Sequence, residues 1–175
     1  MLNSFSDYLI LNFKNIILHI FSLFFIILNL QNYNFFFEEE IRPFFIIMVL
    51  FFWAIYKPTL FNPFYIFFIG IMYDVFFNLV LGLHSFIFLF VYFVVSRQRI
   101  FLIGQNYFVV LSLFVVVISL VYAFQWLFFS IFSGSVHNYD SIFYNLIATI
   151  LIFPIFNFIN IFLRNSFTLS SEDKH

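Results

Sequence analysis

Between Pro58 and Ser96 the chain carries a single formal charge, that of Asp74. A soluble domain needs polar residues to cover its surface, and this stretch has almost none. It is long enough to supply more than one membrane span, each of which takes about 20 apolar residues. A carboxylate near the middle of a span costs about 2.5–3.5 kcal/mol on insertion scales. Such a group persists where it faces a partner, a polar cavity or another subunit. The expectation is therefore an all-α, polytopic integral membrane protein with one acidic contact point among its helices.

Composition extends that reading to the whole chain. Of 175 residues, 65% are hydrophobic and 9% charged, and mean hydropathy is +1.09. Phe, Ile and Asn, all with AT-rich codons, are abundant. The 35 phenylalanines therefore read as compositional drift on lipid-facing surfaces rather than as an aromatic ligand box. A net charge of −1 argues against nucleic acid as a partner. The absence of cysteine excludes disulfides, thiol catalysis and Cys-based metal sites. Asp7 and Lys14 precede the first apolar run, with no basic leader region or small-residue cleavage site, so that run reads as a retained span.

Hydropathy and turn signals divide the chain into six spans within a single transmembrane domain, 1–175. They fall at about 16–34, 41–56, 63–81, 83–95, 107–132 and 141–163. Pro43 opens the second span, where a missing N–H costs least. Lys57-Pro58 stops that span, and Gly82 closes the third. Pro154 is expected to kink the sixth. Six spans place both termini on one side. Lys14, Lys57, Arg97, Arg99, Arg164 and Lys174 then share that side, and Arg42 lies opposite beside Glu38, Glu39 and Glu40. The positive-inside rule makes the shared side cytoplasmic. The location expected is the cytoplasmic (inner) membrane, multi-pass, with the lipid bilayer as solvent. Lys57 and the Arg97-Gln98-Arg99 run read as topogenic charges meeting anionic lipid.

Gly70, Asp74 and Asn78 recur every fourth residue and so share one helix face. A glycine there lets a neighbouring helix approach closely. The face suits a substrate or a partner helix, or else a structural hydrogen bond inside the bundle, since polar residues between packed helices often act as glue. Asn78, His84, Ser85 and Gln125 are the candidate partners of Asp74. Asn157 and Asn160, three apart, share a face of the sixth span, which also carries Asn145. The case for an enzyme is poor. His19, His84, His137 and His175 have no metal-ligand spacing. No glycine-rich phosphate loop occurs and no Ser/His/Asp set can be assembled. No catalytic residue, metal or cofactor is expected.

One ordered set of residues is more specific. Arg42-Pro43 is followed by an apolar run to Trp53, then Pro58, then Gly70-Ile71-Met72-Tyr73-Asp74, then Leu81-Gly82. In order and spacing this set resembles MreD, the rod shape-determining membrane protein family of bacteria. Length and the six-span layout match as well. The chain departs from the family after Asp74, where Phe76-Phe77-Asn78-Leu79-Val80 stands in place of Gly and Ser. The resemblance implies a non-enzymatic scaffold of the cell-elongation complex that supports side-wall peptidoglycan synthesis. It implies an MreC-like membrane partner and, through it, MreB, RodA and a class B transpeptidase. It also implies a fold similar to the substrate-binding subunits of energy-coupling-factor vitamin transporters. That similarity makes a small-molecule binding subunit of a transporter the alternative reading.

Overall fold

The structure, a computed structural model, describes residues 41–58, 62–133 and 139–172, together with Phe24, Ile27 and Asn29, which are helical. Among these residues five helices follow in order: α1 (Phe45–Tyr56), α2 (Pro63–Phe76), α3 (Leu83–Leu102), α4 (Tyr107–Ser133) and α5 (Tyr139–Glu172). Leu83–Leu102, Tyr107–Phe132 and Ser141–Ile161 are long and apolar enough to cross a membrane. The remaining two, α1 and α2, are shorter apolar helices. The expected first span otherwise lies outside the described residues, as do Glu38–Glu40, His19 and His137.

The shortest helix, α1, is the core. Every residue from Phe45 to Ile55 is buried, so the helix is apolar on all sides and has no solvent face. At 12 residues it is about 18 Å long, well short of a hydrocarbon layer of about 30 Å. Both its ends therefore lie inside the protein, and their unpaired backbone groups need partners there. Around it the helices alternate in direction. Contacts of Phe44 with His84 and of Phe51 with Phe153 run α3 and α5 parallel to α1. Contacts of Phe51 with Phe114 and of Phe44 with Tyr122 run α4 the other way. Phe114 and Phe153 stack with centroids 3.7 Å apart, and Phe51 meets both edge-on. The two edge-on pairs add about 0.5–1.5 kcal/mol each beyond burial.

Helix boundaries depart from the hydropathy reading where backbone chemistry overrides apolarity. α1 begins at Phe45 rather than at residue 41, behind Pro43 and the N-cap Phe44. α2 begins at Pro63, with the Asn62 side chain accepting from Phe64 N. It stops at Phe76, although apolar residues continue to Leu81, because Asn78 turns left-handed at φ 51°. Leu79 N then bonds Asp74 O and Asn78 N bonds Val75 O, the paired bonds of a Schellman ending. α3 runs through Ser96, Arg97, Gln98 and Arg99 to Leu102 rather than ending at residue 95, since nothing in that polar stretch breaks a helix. α5 continues through Pro154, whose ring nitrogen offers no donor to the carbonyl one turn earlier.

Candidate functional site: a buried carboxylate between helix ends

Gly70 sets the geometry around Asp74. A Cβ at Gly70 would overlap the Cα and N of Ser85 and lie 2.7 Å from Ser85 Oγ. Only glycine allows α2 and α3 to cross this closely. At the crossing Ser85 Oγ donates to Phe67 O at 2.9 Å, which pairs the hydroxyl without a partner from outside.

One turn farther along α2, Asp74 is fully buried. Its Oδ2 accepts from Gly82 N at 2.8 Å, and both oxygens lie 3.3 Å from His84 N. Its Oδ1 lies 2.6 Å from His84 Nδ1. Gly82 is the N-cap of α3 and has no side chain with which to cap it. Asp74 supplies that cap from the preceding helix, its carboxyl oxygens satisfying orphan N–H groups at the positive end of the α3 dipole. Gly82 stands at φ 94°, and nothing lies within 4 Å of a Cβ built on it. Its requirement for glycine is conformational, and the Leu83 N–Val80 O bond closes the turn around it.

His84 carries the network on. A carboxylate at Nδ1 fixes the proton on that nitrogen and leaves Nε2 as an acceptor. The Gln125 amide nitrogen lies 2.8 Å from Nε2, the matching donor, and ties α4 to the turn. An aromatic shell surrounds the imidazole, with the Tyr73 centroid at 4.5 Å, Phe88 at 5.9 Å and Phe44 at 6.0 Å.

Phe44 links this cluster to the start of α1, which is capped by the same means. Arg42 N donates to Asn145 Oδ1 at 2.7 Å, Phe44 N to Thr149 Oγ1 at 3.1 Å, and Ile46 N to Asn29 Oδ1 at 3.3 Å. Tyr122 OH lies 3.2 Å from Thr149 Oγ1, whose hydroxyl also bonds Asn145 O. The other end of α1 is closed by α3. Arg99 Nε donates to Ile55 O at 2.8 Å, and Tyr92 OH donates to Pro58 O at 3.0 Å.

Of the four candidate partners of Asp74, the structure brings His84 directly to it and Gln125 through His84. Ser85 packs on Gly70 instead. Asn78 does not share the Gly70–Asp74 face, because the helix that would carry it there has ended; it is exposed. The other motif residues also sit at helix ends or in the core. The Arg42 guanidinium lies 5.6 Å above the Phe77 ring, Pro43 is buried, and Leu81 is exposed in the turn. Trp53 is buried, and its indole nitrogen has no hydrogen-bond partner among the described residues. Asn157 and Asn160 are both buried, each with an unpaired Oδ1, although Asn160 Nδ2 donates to Phe156 O. Sequence reasoning missed Thr149, Tyr122 and Tyr92. Thr149 stands one turn after Asn145, a spacing that pairs the two on one face of α5.

A family model described as rod shape-determining protein MreD matches residues 10–162. The chain belongs to the MreD family. Neither a curated protein nor a solved structure matches it. MreD membership gives the chain a role in rod shape determination, as a membrane protein within the rod-shape system. The residues that carry the MreD resemblance, from Arg42 to Gly82, lie on α1, α2 and the turn into α3. Within these three helices Asp74 caps α3, and Tyr92 and Arg99 of α3 close the far end of α1.

Proposed function

We propose that this MreD-family chain is a non-enzymatic scaffold of the cell-elongation complex that binds an MreC-like membrane partner. Through that partner it would reach MreB, RodA and a class B transpeptidase and support side-wall peptidoglycan synthesis. In this reading the chain has six spans, both termini are cytoplasmic, and the fold is similar to the vitamin-binding subunits of energy-coupling-factor transporters. The carrying observation is the family match over residues 10–162. The polar chemistry supports it further: Asp74, His84, Asn145, Thr149 and Arg99 are all engaged at helix ends. Gly70 and Asp74 contribute to the partner surface through the α2–α3 crossing that presents it.

The test is co-purification from detergent-solubilised membranes with an MreC-like partner, wild type beside Asp74→Ala. Co-elution of the wild type, lost in the variant, is the expected result. Co-elution retained by both would assign Asp74 to internal structure alone. No co-elution of the wild type would count against the scaffold.

A second reading, a small-molecule binding subunit of a transporter, draws on two cavities beside α4. One, of about 380 Å³, lies between α3 and α4 and is lined by apolar side chains such as Phe86, Phe90, Leu120 and Phe124. It offers no polar group to orient a vitamin. The other, of about 430 Å³ between α4 and α5, has the polar groups of Ser119, Tyr122 and Trp126 but no charged side chain in its lining, and this reading ranks second. Genes for cell shape beside this one favour the scaffold, and a transporter ATPase beside it favours the binding subunit. A ligand that raises the melting temperature would also favour the binding subunit.

A further inference from the structure

The helix α4 is anchored unevenly. Val110, Phe114, Val117, Ile118, Val121 and Tyr122 form its buried stripe. From Ala123 to Phe132 no residue is buried. Space flanks this region on both sides. The cavity of about 380 Å³ separates it from α3, and another of about 430 Å³, lined by Ser119, Trp126, Phe143 and Leu146, separates it from α5. Phe124 does meet Phe86 of α3, with centroids 6.0 Å apart. In a bilayer, however, an apolar contact between helices exchanges for a lipid contact at little cost, because lipid tails are as apolar as the side chains. A directional hydrogen bond has no such substitute in hydrocarbon. A hydrogen bond of this kind runs from this segment into the α2–α3 unit, from Gln125 to His84.

We propose that the Gln125–His84 hydrogen bond is a latch holding the end of α4, from Ala123 onward, against the α2–α3 unit. Asp74 sets the imidazole face that Gln125 reads. With the bond closed, α4 stands near α3 and the groove between them keeps its present width. With it broken, the segment pivots about its anchored part at Val121 and Tyr122, and the groove lined by Phe86, Phe90, Leu120 and Phe124 widens.

The chain has no cysteine, so spin labels can be placed at will in the full-length protein. One pair, at Val75 and Ile131, reports the outer end; a second, at Phe64 and Phe108, reports the opposite end. All four positions are exposed. Distances are read by double electron–electron resonance in lipid nanodiscs. Gln125→Leu is expected to broaden and lengthen the Val75–Ile131 distribution while leaving Phe64–Phe108 unchanged. Gln125→Glu, whose carboxyl in its protonated form donates to His84 Nε2 as the amide does, is expected to retain the wild-type distribution. Identical outer distances in wild type and Gln125→Leu would overturn the latch. So would an equal change in both pairs, or a Gln125→Glu variant that behaves like Gln125→Leu.

Discussion

Asp74 accepts from the N–H groups of Gly82 and His84 and from the His84 ring, and this arrangement explains how a carboxylate stays inside an apolar bundle. Removing it orphans buried donors, at about 1–3 kcal/mol for each. Asp74→Ala is therefore expected to lower the thermal midpoint in detergent markedly. Asp74→Asn, which keeps one acceptor oxygen, should lose less, and equal losses would mean that capping is not its role. The two left-handed residues beside it separate conformation from space. Gly82→Ala meets no neighbour and should cost only the left-handed penalty, about 1–2 kcal/mol. Asn78→Gly should be neutral or slightly stabilising, because glycine adopts the φ of 51° freely. The same melting measurement checks both. Asp74 was legible in the sequence as a buried contact, since it stands alone in an apolar run. Its service to the end of the following helix was not, because that depends on how tightly the turn folds back.

Between elements, Gly70 packs directly against the backbone of Ser85. Gly70→Ala is expected to destabilise more than Gly82→Ala, since a backbone atom cannot swing away as a side chain can. The double variant Gly70→Ala with Ser85→Gly should not recover the loss, because Ser85 Cα and N remain in the way. Recovery in a melting experiment would show that the hydroxyl is the obstacle. Thr149→Val keeps the shape of the side chain and removes the hydroxyl that meets both Phe44 N and Tyr122 OH. It leaves two buried donors without that acceptor, and the expected loss is about 1–3 kcal/mol for each. Hydropathy located the apolar runs, but it carries no sign of where Asn78 stops α2 or of how far α3 continues past Ser96. Those limits follow from backbone conformation, which apolarity does not report.

For the whole molecule, the proposed topology places Gln98 on the cytoplasmic side and Leu81 on the outer side, and both residues are exposed. In the cysteine-free background, Leu81→Cys should react with a membrane-impermeant maleimide added outside intact spheroplasts. Gln98→Cys should react only after the membrane is opened. The reverse pattern would invert the orientation. Composition and the length of the apolar runs alone pointed to a helical membrane protein, because no water-soluble fold covers so much apolar surface. The ordered residues from Arg42 to Gly82 carried the family resemblance. Only the tertiary structure decided that α1 is a short, wholly enclosed helix and that side chains from α3 and α5 close its two ends. It also decided that Asp74 caps α3 and reaches α4 through His84. The physical reason is one of distance along the chain. Hydropathy is local and can be summed over a window, whereas an orphan N–H or C=O at a buried helix end takes whichever acceptor or donor folding brings to it. Here that partner often lies far away in the sequence, as Asn145 does for Arg42.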